Sequence, residues 1–309
     1  VNVVVTGGLG FIGSNIVREL QSKRNTIDNV YIVDVLDNRN AANIDGLNYT
    51  SILDKETFDF DAIEKLKIDV VLHQGAITDT TYNDSVEMMK NNYHFSVNMH
   101  QACMQAGARF IYASTAALYG LGHNGFKETT DCEDPLNVYA ESKLKFDNYI
   151  RLKSHNKQVV GLRYFNVFGM GEDHKLNMAS PLNQFFRQAK NEGHIKLFEG
   201  SDKFFRDFIY IKDVIKVNMF FLENEQISGI YNCGSGTATS FLSIAQKVSK
   251  ALDVPIKHVP FPDILRGKYQ NFTCADLSLL RNAGYKQTFM GFDSASEEYI
   301  DLMCKSWVK

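Results

Sequence analysis

No stretch of the 309 residues approaches the roughly 18 consecutive apolar positions of a membrane-spanning helix. Basic charge in excess is also missing: Lys and Arg total 33 against 36 Asp and Glu, a formal net charge of −3. That balance excludes the strongly basic face of a nucleic-acid binder and leaves small molecules as the expected partners. The five cysteines, Cys103, Cys132, Cys233, Cys274 and Cys304, are odd in number, have no CxxC spacing and sit in apolar segments. They read as reduced thiols packed as small hydrophobes in a cytoplasmic protein, and no metal site follows from them. There is no internal repeat at a fixed period and no low-complexity tract. The apolar start "VNVVV" has no basic flank and no small-residue cleavage site, so it reads as a strand rather than a signal peptide. Together these absences describe an ordered, cytoplasmic protein with no nucleic-acid or membrane partner.

What is present is a hydrophobic content of 44%, enough to bury a substantial core in one large domain or two unequal ones. Up to about residue 165, short apolar runs ("VNVVVT", "VYIVD", "VVLHQGA", "RFIYAS", "VVGLRYF") alternate with segments of helix length. This is the pattern of a parallel sheet covered on both faces, a Rossmann-type doubly wound α/β fold. Later segments, "RDFIYIKDVIKVNMFFL" and "GIYNCGSG", are expected to return to that sheet. The expected division is a dinucleotide-binding domain of residues 1–165 with about 207–236 and 272–285. A smaller α/β substrate domain takes about 166–206, 237–271 and 286–309.

The first strand ends in "TGGLGFIGS", with Gly7, Gly10 and Gly13 at GxxGxxG spacing before a helical pattern. Glycines permit positive φ and close approach of a pyrophosphate, while the helix N-terminus offers unpaired N–H groups. The second strand ends in Asp34, placed to accept hydrogen bonds from an adenosine ribose and so to favour NAD. Arg39 is placed to meet the 2′-phosphate of NADP instead, and the residues leave the two cofactors open.

Tyr139 and Lys143 in "NVYAESKLKFDNYI" share one helix face a turn apart, and Thr115 in "STAALYG" follows a strand end. A nicotinamide site, a hydroxyl at a strand's end and a Tyr with a Lys four residues on point to an acid/base pair for hydride chemistry. Bringing a phenol from a pKa near 10 to about 7 takes about 4 kcal/mol. One positive charge about 4 Å away supplies about that much at an effective dielectric near 20.

The motifs "TGGLGFIG", "STAALYG", "YAESK" and "LRYFNVFG" resemble the extended short-chain dehydrogenase/reductase family, which processes nucleotide sugars, and the likeness spans the chain. The resemblance implies Tyr139 as base, Lys143 as the group that lowers its pKa, and Thr115 as the holder of the substrate hydroxyl. Ala116 and Ala117 stand where dehydratases of the family carry an acidic pair, which disfavours dehydration. "MMKNNY", "HKLNMAS", "KLFEGS" and "RDFIYI" resemble, more narrowly, a 6-epimerase branch of the family. That likeness implies a tightly held, recycled NADP touched by Phe11, Ile12, Asp34, Lys55, Gln74, Gly75, Ala76, Ile77, Thr78, Asn91, Lys143 and Val167. It implies sugar-nucleotide contacts from Asn166, Phe198, Glu199, Gly200, Ser201, Arg206 and Tyr269. Asn177 and Gln184 join these, although the family pattern has a serine and a histidine there. It also implies Lys175 as a second catalytic base, and a homo-oligomer, pentameric in some members. An ion pair with Asp207 or another carboxylate is the structural alternative for Arg206. A 4-epimerase of UDP-hexoses and a catalytically silent NADP-binding sensor are the alternatives for the whole chain.

Overall fold

The computed structural model describes residues 1–23, 25–36, 41–262 and 270–307. In chain order the strands are β1 (Asn2–Thr6), β2 (Asn29–Asp34), β3 (Ser51–Asp54), β4 (Val70–His73), β5 (Arg109–Thr115), β6 (Val159–Tyr164), β7 (Asn166–Phe168), β8 (Ile195–Phe198), β9 (Phe205–Tyr210), β10 (Gly229–Cys233), β11 (Ala238–Ser240) and β12 (Ile256–Val259). The helices are α1 (Phe11–Ser22), α2 (Ala62–Lys65), α3 (Ser85–Met89), α4 (Phe95–Ala106), α5 (Val138–Arg151), α6 (Pro181–Glu192), α7 (Ile211–Glu223), α8 (Phe241–Leu252), α9 (Ser278–Asn282) and α10 (Phe292–Ser306). Two compact units emerge: Val1–Leu118 with Pro135–Tyr164 and Ile215–Tyr231, and Tyr119–Asp134 with Phe165–Val214 and Asn232–Lys309.

The first unit is built on a seven-stranded sheet in the order β10-β6-β5-β4-β1-β2-β3. Its pairings from β3 through β6 are all parallel. Val70, Val71, Leu72 and His73 of β4 are all buried, as are all six residues of β6. A strand covered on both faces must be apolar at successive positions, which is why these runs do not alternate. The order reverses between β1 and β4, the switch point at which such sheets bind ligands beyond their C-terminal strand ends. Behind it, Val4, Val71, Met99, Phe110, Tyr112, Phe146 and Ile150 pack into one apolar cluster.

In the second unit β11, β9 and β7 form a three-stranded sheet, and β12 pairs with β8 in a parallel pair. Here one expectation fails. "GIYNC" joins the main sheet as β10, but "FRDFIY" does not: β9 lies between β7 and β11. An apolar run predicts a strand without naming its partners. The partners of β9 are set by polar groups. Asp207 accepts hydrogen bonds from the backbone N–H of Ser235, Gly236 and Ala275 at 2.6, 2.9 and 2.9 Å, and Thr273 N–H donates to Phe205 O at 3.1 Å. Residues 119–134, 165, 207–214, 232–236 and 272–285 fall in the second unit, where the sequence reading put them with the first. Among the described residues no helix is long and apolar enough to cross a membrane.

Candidate active site

The glycine loop after β1 is held shut by its own backbone. Gly7 has φ +66° and donates to Val33 O at 2.8 Å, and Gly10 N–H donates back to Gly7 O at 3.0 Å. Gly10 caps α1 with no side-chain bond, so the first-turn N–H groups and the positive end of the helix dipole stay open to an anion. Closure leaves no room for side chains. A Cβ on Gly7 would lie 2.6 Å from Gly75 N, in the loop after β4, and one on Gly13 would lie 2.1 Å from Gly7 O. Gly13→Ala therefore has to push α1 off the loop, because its neighbours are backbone atoms. Such overpacking costs about 1–3 kcal/mol. We expect a lower melting temperature and a nicotinamide nucleotide content at least about tenfold lower, read by chromatography of heat-released nucleotide.

Around this loop a cleft of about 100 Å³ is lined by Gly7, Asp34, Lys55, Gly75, Ala76, Ile77 and Asn91, with Thr6, Val33, Val35 and Phe95. The first seven are sequence-predicted cofactor residues. Asp34, ending β2, accepts the N–H of Leu9 and of Val35, each at 2.8 Å. Lys55 donates to Glu56 at 2.9 Å and to the Asn91 side-chain oxygen, and its ammonium stands 5.2 Å above the Phe95 ring centre. Buried Phe11 opens α1, followed by half-buried Ile12. Thr78 is exposed in the loop after β4. Gln74 receives a hydrogen bond from the Tyr164 hydroxyl at 3.0 Å, but its buried Nε2 finds no partner among the described residues. An unpaired buried amide beside a glycine turn and an open helix N-terminus suits a dinucleotide.

Sequence reasoning missed the scaffold behind this loop. Gly75 N–H donates to Thr6 Oγ1 at 3.0 Å, Thr6 bonds His73 Nδ1 at 2.6 Å, and His73 Nε2 bonds Ser96 Oγ at 2.8 Å. Burial, and then the Lys143 charge, push the His73 pKa down to about 3, so this imidazole is a neutral strut. Asn92, fully buried in the π-helical turn Lys90–His94, accepts from Ile77 N–H and donates to Ile77 O and Ser142 Oγ at 2.8, 2.9 and 3.1 Å. The doublet "NN" is the only sequence signal for it; the π-helical turn shows in the structure alone.

Tyr139, Lys143 and Thr115 come together in the first unit. Asn137 caps α5, its side chain accepting from Ala140 N–H at 2.9 Å, which starts the helix just ahead of Tyr139. The Tyr139 phenol is hydrogen-bonded to Thr115, whose Oγ1 also accepts from Ala117 N–H at 3.1 Å. Lys143 is buried and donates to Ala113 O at 2.9 Å. Burial lowers its pKa to about 8, opposed by the charge of Asp147. The phenol departs from expectation: burial raises its pKa, and the Thr115 hydrogen bond only partly offsets this.

The second unit holds the remaining candidates. Lys175 lies, half-buried, in a short 3₁₀ segment, Asp173–Met178. Burial lowers its pKa and Glu172 raises it. Buried Glu172 accepts from Gly169 N–H at 3.1 Å and from Ser180 N–H and Oγ at 2.6 and 2.7 Å, which closes this loop on itself. Leu176 is held at φ 49°, ψ −115°, a conformation a branched residue adopts only when its surroundings impose it. Gln184 Nε2 donates to Asn177 O at 3.1 Å and to Ala179 O at 2.7 Å. Asn166 is exposed and Val167 half-buried on β7. Phe198, Glu199 and Gly200 are exposed at a turn, and buried Ser201 donates to Phe198 O at 2.6 Å. Arg206 is buried on β9, donates to Phe205 O at 3.0 Å, and stands 5.8 Å over the Phe241 ring. Asp207, next to it on β9, gives its carboxylate to Ser235, Gly236 and Ala275. Arg39 and Tyr269 lie outside the described residues. Among the described residues no group of three or more His, Cys, Asp or Glu side chains is placed to hold a metal ion.

With this geometry stands a sequence match: residues 3–234 fit the NAD dependent epimerase/dehydratase family. The chain belongs to that family. It is 46% identical over 314 residues to the ADP-L-glycero-D-manno-heptose-6-epimerase of Brachyspira hyodysenteriae, covering 98% of each chain. Among solved structures it resembles the ADP-L-glycero-D-manno-heptose-6-epimerase of Helicobacter pylori with a TM-score of 0.85 and 29% identity, over 98% of this chain and 96% of that one. A UDP-N-acetylglucosamine 4-epimerase from Methanobrevibacter ruminantium matches with a TM-score of 0.86 and 26% identity over 99% of both chains. The cofactor typical of the family, NAD(P), fits the glycine loop and the unpaired Gln74 amide.

Proposed function

We propose that this chain epimerises ADP-D-glycero-D-manno-heptose to ADP-L-glycero-D-manno-heptose at C6, within lipopolysaccharide core synthesis, using tightly held NADP. The observation that carries the reading is 46% identity along essentially the whole of both chains to an epimerase of that name, which includes segments outside the cofactor motifs.

C6 of the heptose is a secondary carbinol with no carbonyl beside it, so its hydrogen is not acidic and inversion requires prior oxidation. When bound, the nicotinamide supplies the acceptor and donor of the C6 hydride. Tyr139, with Thr115 holding the hydroxyl, takes the O6 proton as a 6-ketone forms. With the exocyclic group turned, a bound nicotinamide would supply the hydride to the opposite face. O6 points to different sides in the two epimers, so Lys175 handles the proton on the side Tyr139 does not reach. Arg206 clamps the substrate diphosphate, its planar fork matching paired phosphate oxygens. Arg206→Ala should raise KM for the nucleotide sugar at least about tenfold with little change in kcat, the split that marks a binding contact.

Purified protein given C6-deuterated substrate and no added nucleotide tests the reading. Product that keeps its label, followed by NMR, supports internal return of hydride. Exchange of the label with solvent, or no product at all, sinks it. Chromatography of the released nucleotide separates NADP from NAD in the same sample. We propose a homo-oligomer as well, pentameric by family resemblance, which sedimentation measures directly.

A further inference from the structure

We infer that Asp147, tied to Arg163, Tyr112 and Ser114, is a positioning residue of this active site, setting the register of α5 against β5 so that Tyr139 meets Thr115 and Lys143 meets Ala113. The inference rests on the proposed roles of Tyr139 and Lys143.

Residues 139, 143 and 147 repeat every four positions, so they lie along one face of α5. Each meets β5 in turn. Tyr139 bonds Thr115, Lys143 donates to Ala113 O at 2.9 Å, and Asp147 accepts from Tyr112 OH at 2.9 Å and from Ser114 Oγ at 3.0 Å. Tyr112 and Ser114 are two apart and share a face of the strand. From the next strand, Arg163 donates through Nε and Nη2 to Asp147 Oδ2, both at 3.0 Å. Arg163 is the β6 partner of Ser114, so the strand register itself delivers the guanidinium to this spot. Arg163 and Asp147 are both at 0% exposure.

A buried ion pair is seldom more stable than apolar side chains of the same volume. Its four bonds are directional, however, and a slip of α5 by one residue breaks all of them, whereas apolar packing tolerates small slips. The same carboxylate is the charge that opposes burial at Lys143. His73 on β4 also faces that ammonium but is neutral, Tyr139 lies a turn away on α5, and Tyr112 of β5, its pKa raised by burial, stays a phenol. Losing Asp147 should thus both loosen the register and release the Lys143 proton at lower pH.

The test is Asp147→Leu combined with Arg163→Met, which removes both charges together. We expect a folded protein with its nucleotide bound, kcat down at least about tenfold, and KM within about twofold. Asp147→Asn, which retains an acceptor for Tyr112 and leaves the Arg163 charge in place, should move the alkaline limb of the pH–rate profile to lower pH by at least about half a unit, and Asp147→Glu should restore it. In the double variant the loss of the Arg163 charge offsets the loss of Asp147, so its limb moves less. An unmoved limb in Asp147→Asn, or kcat of the double variant within about twofold of the parent, overturns the inference. Failure of all three variants to fold overturns it too, since Asp147 would then serve the fold alone. Lys143→Met separates the two readings. Normal turnover by that variant removes the proposed function itself, whereas a dead Lys143→Met beside an unmoved limb removes only the role of Asp147.

Discussion

Tyr139→Phe will lower kcat roughly 10²–10⁴-fold, the usual contribution of a positioned proton-transfer group, while nucleotide content and melting temperature stay near those of the parent. The ring is half-buried and its packing survives the change; only the hydroxyl bonded to Thr115 is lost. What the hydroxyl has to do is harder than the sequence arithmetic suggests. One cation at about 4 Å offers about 4 kcal/mol at an effective dielectric near 20. That matches the cost of a phenol shifted from 10 to about 7, but burial raises the Tyr139 pKa before any cation acts. The Lys143 ammonium moreover shares its field with Ala113 O. In the proposed mechanism Lys143 alone would fall short, and the positive ring of a bound oxidised nicotinamide would make up the difference. The phenol would thereby be coupled to the cofactor, ionising readily when the ring is in the state that accepts hydride. The pH dependence follows with a definite sign. Lys143 must keep its proton to help, and its pKa is lowered to about 8, so the rate of the parent enzyme falls as pH rises through about 8. A rate that climbs steadily through pH 8–9, or a Tyr139→Phe variant with more than about a tenth of parental activity, would remove this assignment.

The groups that touch ligands in this reading are largely legible in the sequence, because each carries a local signature. Gly7, Gly10 and Gly13 are spaced for a turn, Asp34 ends a strand about twenty residues on, and Tyr139 and Lys143 keep one helical turn between them. The first unit is legible for the same reason, its strands being unbroken apolar runs between helix-length segments. What is not legible is pairing at long range. β9 reads as an ordinary buried strand, and only the hydrogen bonds of Asp207 to residues 235, 236 and 275 show which sheet it joins. Asp147, Arg163 and Glu172 are charged residues of a type usually found at the surface. Each is fully buried with its charge hydrogen-bonded, to partners 3 to 35 positions away in the chain, and no periodicity names those partners. The pKa of Tyr139 was misjudged on the same ground, since helical spacing reports which charge is near and not how much water is gone.

Lys175→Met will also lower turnover roughly 10²–10⁴-fold, and combining it with Tyr139→Phe will cost little more than either change alone. In the proposed cycle one group takes the O6 proton in each direction and the other returns one, so losing either would stop the cycle and the second loss would find nothing left to stop. Two groups serving the same step from independent positions would instead multiply their losses. Methionine keeps much of the length and apolar contact of the lysine, and the bonds of Glu172 to Gly169 and Ser180 do not involve the lysine side chain, so the loop should hold its form. The protonation demand on Lys175 is opposite to that on Lys143. In the L-to-D direction Lys175 is the base and must be free of its proton, and burial moves it towards that state while Glu172 restrains it. Glu172→Gln should therefore ease deprotonation and shift the acidic limb of the L-to-D pH–rate profile to lower pH, with the position of the Lys143 limb unchanged. A Lys175→Met variant with parental turnover would show that one base serves both faces, and a double variant whose loss is the product of the two single losses would show two groups serving one step independently; either result removes the two-base cycle.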